Sequence, residues 1–178
     1  MFSRAGYSRE GLFALEARSA GGVAAGAALR RRPPAIGAAL LEAPFLDVLS
    51  AMCDPSLPLT QHEYEEWGDP ATEAGFRRLR QTCPYAGLRP GAPYYPPMLL
   101  TCAQSDRRVP FWGPLKFAAR VRAAAAGRAG GGGGGGGGEV LVSVDAHEGH
   151  WAGERERHEV KAAQYAFLLA AMRGRYKE

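Results

Sequence analysis

Ser19 stands where a run that reads as a strand gives way to a run that reads as a helix, and this junction constrains the fold more than any other stretch. Leu12-Phe13-Ala14-Leu15 is apolar, Val23-Ala24-Ala25-Gly26-Ala27-Ala28-Leu29 has the composition of a buried helix start, and Ala17-Arg18-Ser19-Ala20-Gly21-Gly22 joins them. A strand that reverses sharply into a helix needs small neighbours so that side chains do not collide. A serine in such a turn has its hydroxyl held out at the sheet's edge, above the helix N-terminus. This is the layout of a nucleophile elbow, with Ala17 in the first position of the G-x-S-x-G consensus. The same residues also suit an ordinary Gly/Ala-rich turn.

Beyond this junction, strand and helix signals alternate. Strands are expected at about 12–17, 35–41, 98–102 and 139–145, and helices from the elbow to about Arg31, over 73–81, from Pro114 to Ala126 and from His158 to Met172. Leu115, Phe117, Ala118 and Val121 fall on one helical face, with Lys116, Arg120 and Arg122 largely outside it. A Pro-rich polar excursion covers 50–72. The βαβα order predicts an α/β fold, a mainly parallel sheet flanked by helices. Gly130 to Gly138 is a run of nine glycines. It has no side chains to bury and maximal backbone entropy, so it is expected to be a disordered loop. Its closure cost grows only logarithmically with length, and it need not disturb the fold.

Composition excludes several function classes. A hydrophobic content of 46% and 22% charged residues are ordinary for a globular domain, and 178 residues suffice for one core. The net charge of +4 is mild and the arginines are scattered, apart from Arg30-Arg31-Arg32. With no basic–aromatic alternation, nucleic-acid binding is not expected. Cys53, Cys83 and Cys102 form no C-x-x-C pair. That argues for reduced thiols and against a disulfide framework or a metal site, and no cofactor motif is present. No apolar run reaches the length of a membrane span, and the N-terminus lacks a signal-peptide core, so the expected location is cytoplasmic.

Two further strand ends carry chemistry. Leu99-Leu100-Thr101-Cys102-Ala103-Gln104-Ser105-Asp106 is an apolar strand that ends in an acid. Val140-Leu141-Val142-Ser143-Val144-Asp145-Ala146-His147-Glu148-Gly149-His150 is a β-branched run that ends in histidines. The order Ser, Asp, His, each past a strand's carboxyl end, is the order of an α/β-hydrolase triad. Only loops at one end of a parallel sheet can bring three such distant residues together. Asp145 and His147 are rivals for the acid and the base. Asp47, Asp54 and Asp69 read as turn or cap residues, His62 and His158 as solvated, and Trp67 and Trp112 as packing aromatics.

Ala17 to Gly22, Leu41-Glu42-Ala43-Pro44-Phe45-Leu46-Asp47, Asp54-Pro55-Ser56-Leu57-Pro58-Leu59-Thr60, Glu63-Tyr64-Glu65-Glu66-Trp67-Gly68-Asp69-Pro70, Cys83-Pro84-Tyr85, Tyr95-Pro96, Asp106-Arg107-Arg108-Val109-Pro110 and Gly149-His150 together resemble the C-terminal catalytic part of the prolyl oligopeptidase family of serine hydrolases. The resemblance runs from about Tyr7 to the C-terminus, outside the polyglycine. It implies Ser19 as nucleophile, Asp106 as orienting acid, His150 (preceded by Gly149, as in the family) as general base, and the Ala20 N–H as an oxyanion donor. It implies Arg108 as a substrate-carbonyl ligand, and Glu63 and Glu65 as acids at positions where some members receive basic side chains. The family's second oxyanion donor, a tyrosine upstream of the serine strand, has no counterpart here. Positions of the proline-accepting pocket fall near Arg78 and Thr82, so strict post-proline specificity is not expected.

The implied function is hydrolysis of a peptide, ester or thioester through an acyl-enzyme. The competing expectation is a non-catalytic interaction protein or inactive fragment, with vesicle-coat partners implied by one branch of the family. Nothing resembles the family's propeller blades or the first hydrolase strands. The expectation is therefore a partial catalytic domain over 1–178.

Overall fold

The computed structural model describes residues 6, 8–88, 95–126, 138–146, 149 and 154–173, the side chains of 154–157 excepted. Four parallel strands, β1 (Phe13–Arg18), β2 (Ile36–Glu42), β3 (Met98–Ala103) and β4 (Val140–Asp145), form one sheet in the order β1-β2-β3-β4. Helices α1 (Gly21–Arg31) and α5 (Trp112–Ala126) make the first and last crossovers. The long connection from β2 to β3 carries α2 (Val48–Met52), α3 (Tyr64–Trp67) and α4 (Glu73–Thr82), and α6 (Glu154–Met172) follows β4. The expected strands and helices are all present within a few residues. The polar excursion over 50–72 differs from the expectation in containing short helical turns. Asp47 caps the first of them, its carboxylate accepting the Ser50 N–H.

β2 reads Ile-Gly-Ala-Ala-Leu-Leu-Glu because it is covered on both faces, as the central strand of a parallel sheet must be. On one face, Ala39 and Leu41 pack with Met98 and Leu100 of β3 against Ala25 and Leu29 of α1 and Phe117, Ala118 and Val121 of α5. Side chains alternate along a strand. Glu42 therefore projects to the opposite face from Leu41, as Glu16 does from Leu15, and there Lys161 of α6 pairs with both carboxylates, at 2.6 Å from Glu16. Burial alone would lower the Lys161 pKa, but the hydrogen bonds and charges of Glu16 and Glu42 outweigh it and hold the ammonium above its ordinary value.

A second apolar cluster lies beyond the β2 end. Phe45, Val48, Met52, Leu79, Cys83 and Val109 pack there with Trp67 and Trp112, and Phe45 meets Trp67 edge to face at 5.5 Å. Both tryptophans are packing residues, as expected. Asp47 is nearly fully buried and pairs with Lys116 of α5, whose ammonium also lies 4.6 Å from the Tyr85 ring centroid. Of the glycine run, only Gly138 lies within the described residues, so the expected disorder of 130–137 falls outside them. Gly138 donates its N–H to the Tyr95 carbonyl. A Cβ on it would come within 2.1 Å of the Pro97 nitrogen, so the backbone approach to β3 requires a glycine there.

Candidate active site

The carboxyl ends of the four strands point the same way, with β3 and β4 running two residues beyond the ends of β1 and β2. Arg18 pairs in register with Glu42, Glu42 with Thr101 and Thr101 with Ser143. Hydrogen bonds continue the ladder past the strands: Ser19 N–H to Glu42, Ala43 N–H to Thr101 and Gln104 N–H to Asp145. The loops that follow therefore leave from one rim.

Ser19 is the first residue off β1 and adopts φ +52°. A residue with a Cβ is disfavoured in this left-handed region and persists there only when its surroundings over-determine it. The surroundings here are three hydrogen bonds. The Ser19 N–H goes to Glu42, and the Ser19 carbonyl accepts from Gly22 at 2.9 Å and from Phe45 at 2.8 Å. Ala20 then caps α1, its carbonyl accepting from Val23. The small residues of the turn have separate reasons. A Cβ on Gly22 would lie 2.7 Å from the Phe45 nitrogen and 2.8 Å from the Pro44 Cβ. A Cβ on Gly21 would meet only the Ala17 Cβ at 3.8 Å.

Asp106 sits three residues beyond β3 in a tight turn. Its Oδ1 accepts the backbone N–H groups of Arg108 at 2.8 Å and Val109 at 3.0 Å, which sets the plane of the carboxylate. The Arg108 side chain is exposed, and Val109 is buried in the second cluster. Burial, and then the charge of Asp106, push the neighbouring Cys102 thiol up to about 11. Cys102 is thus a protonated thiol at neutral pH and a poor nucleophile. A Cβ built on Gly149 would stand 3.9 Å from the Ser105 carbonyl oxygen, so the loop after β4 passes beside the turn that carries Asp106.

The other expected site residues fall as follows. His150 and its rival His147 lie outside the described residues. Asp145 closes β4 and is exposed. Glu63 accepts the Trp67 indole N–H at 3.0 Å, and Glu65 is exposed on α3. His62 and His158 are exposed, and Asp54 and Asp69 make local turns through Ser56 and Ala71. Among the described residues no three ligating side chains are grouped to hold a metal, and no helix is long and apolar enough to cross a membrane. Sequence reasoning missed Glu42, Lys161 and Gln164, which line the rim's underside. Lys161, Gln164, Phe167, Leu168, Ala171 and Met172 are the half-buried and buried positions among the described side chains of α6, at helical spacing, and a polar pair on such a face was the available signal.

The sequence profile described as "Prolyl oligopeptidase family" matches residues 2–175. The prolyl endopeptidase-like protein of Xenopus laevis is 46% identical over 121 residues, covering 67% of this chain and 17% of that protein. Among solved structures, oligopeptidase B from Leishmania major superposes with a TM-score of 0.83 at 31% identity, over 96% of this chain and 22% of its own. Oligopeptidase B from Trypanosoma brucei with covalently bound antipain, in the closed form, gives 0.83 at 32%, over 96% and 23%. The chain thus spans about a fifth of the length of these relatives, and its sheet and helices are those of the α/β-hydrolase fold they share. By its sequence and by its fold, the chain belongs to the prolyl oligopeptidase family, a family of serine peptidases.

Proposed function

We propose that the chain carries the catalytic residues of a serine hydrolase that cleaves a peptide, ester or thioester bond, with Ser19 as nucleophile, His150 as general base and Asp106 as its orienting acid. The observation that carries this reading is Ser19 held at φ +52° on the strand-end rim, where the Asp106 turn and Gly149 also lie. A serine hydroxyl is a weak nucleophile unless a base takes its proton as it attacks. His150 accepts the Ser19 Oγ proton as Oγ bonds to the substrate carbonyl carbon, and Asp106 stabilises the imidazolium that forms. The carbonyl oxygen becomes an oxyanion facing the Ala20 N–H at the start of α1. A single donor of this kind is worth on the order of 3 kcal/mol to the transition state.

Collapse of the tetrahedral intermediate breaks the bond to the leaving amine, alcohol or thiol, which takes the proton from His150. Water then attacks the acyl-Ser19 ester, giving its proton to His150. The acid leaves, and the proton returns to Ser19. The covalently bound antipain of the Trypanosoma brucei relative fits a reaction that passes through an enzyme-bound adduct. Arg108, exposed beside Asp106, offers a planar fork to a substrate carbonyl. Glu63 and Glu65 offer negative charge to a basic side chain of the substrate, Glu65 the more openly because Trp67 already holds Glu63.

The test is turnover of short peptide anilides and activated esters. Wild-type protein hydrolyses them, and Ser19→Ala and His150→Ala lose a factor on the order of 10⁴ or more in kcat. Wild-type protein without turnover on any of them, or Ser19→Ala with wild-type rates, overturns the reading.

A further inference from the structure

Beneath the rim, between the strand ends and α6, lies a pocket of about 120 Å³ whose polar lining comes from Arg18, Glu42, Thr101, Ser143, Asp145 and Gln164. Gln164 is only 2% exposed. Its Oε1 is buried and finds no hydrogen-bond partner among the described residues. A buried amide oxygen without a donor is a costly state that folded proteins avoid, and it is satisfied by a protein group or by ordered water.

The lining narrows what can sit there. Two carboxylates and the amide oxygen disfavour an anion. Glu42 is already neutralised by Lys161, and the Arg18 guanidinium disfavours a further cation. Ala43, Cys102, Ala103 and Val160 complete the wall, but an apolar ligand has no donor to offer the buried Gln164 oxygen. What fits is a small neutral molecule that donates to Gln164 Oε1 and also exchanges hydrogen bonds with hydroxyls and charged groups. The volume is ample for at least one water.

We propose that this pocket is a structural water site, in which a water donates to Gln164 Oε1 and bridges α6 to the carboxyl ends of β3 and β4. α6 is otherwise tied to the sheet's underside at Lys161 and, eleven residues on, at Met172. The bridge adds a third tie at the height of the rim, below the point where Gly149 passes Ser105. The proposal rests on the fold and the lining residues alone and stands whether or not Ser19 is catalytic.

A crystal structure of the full chain at about 1.5 Å resolution, together with thermal unfolding of Gln164→Met, tests it. Expected is an ordered water within hydrogen-bond distance of Gln164 Oε1, and a melting temperature several degrees lower for the variant, whose thioether cannot hold that water as the amide does. An empty pocket, an amide oxygen bonded directly to a protein group, or a variant that melts at or above the wild-type temperature overturns it. If Gln164→Met yields no folded protein, the wild-type density alone decides.

Discussion

The Phe45 N–H donates to the Ser19 carbonyl at 2.8 Å. This bond ties the turn after β1 to the loop after β2 and draws the chain at Pro44 and Phe45 close over α1. A side chain at position 22 therefore has no room, and one at position 21 has. Ala in place of Gly gains up to about 1 kcal/mol within a helix, whereas forcing a Cβ into a filled space costs about 1–3 kcal/mol. The clash distances of 2.7 and 2.8 Å put Gly22→Ala on the losing side, and the 3.8 Å contact puts Gly21→Ala on the gaining side. Thermal unfolding checks both. Gly22→Ala should melt several degrees below wild type, and Gly21→Ala at or slightly above it.

The buried Asp47 carboxylate depends on Lys116, 69 residues away. Lys116→Met removes the partner and leaves the anion buried. Stranding a fully buried charge costs about 3–5 kcal/mol. Lys116 is 39% exposed, so water can replace part of the pairing. A loss of about 2 kcal/mol is expected in denaturant unfolding. Asp47→Asn retains an oxygen for the Ser50 N–H, so the double variant should recover part of that loss. A double variant no more stable than Lys116→Met would show that the stranded charge is not the cause.

Lys161 gives the fold an alkaline sensitivity. Its pKa is raised in the folded state, so its contribution is fully present below the ordinary lysine value of 10.5 and is lost as pH climbs through the higher folded-state value. Between pH 9 and 12, wild-type stability should therefore fall more steeply than that of Lys161→Met, measured as denaturation midpoints at each pH. Parallel curves would show that the contacts with Glu16 and Glu42 contribute nothing.

Much of the fold was legible because the chain's local and global signals agree. The unbroken apolar run of β2 announced a strand buried on both faces, and the spacing of Phe117, Ala118 and Val121 announced the face of α5 that meets the sheet. The short helices α2 and α3 were not legible, since four or five residues amid Pro and Gly carry no periodicity. The start of α6 at Glu154 was hidden by the charged run Glu154-Arg155-Glu156-Arg157, which shows no apolar face. At the site, Ser19 and Asp106 were legible from their places after strands. The pairs Lys116–Asp47 and Lys161–Glu42 join residues far apart in the chain, and only the assembled sheet brings them together.

The central claim is tested most directly by reaction with a fluorophosphonate probe, read by intact mass and peptide mapping of wild type, Ser19→Ala, His150→Ala and Asp106→Asn. The account predicts one adduct per wild-type chain on the peptide bearing Ser19, none on Ser19→Ala, and labelling slowed by orders of magnitude in the other two variants. An unlabelled wild type, or an adduct that survives Ser19→Ala, would contradict it.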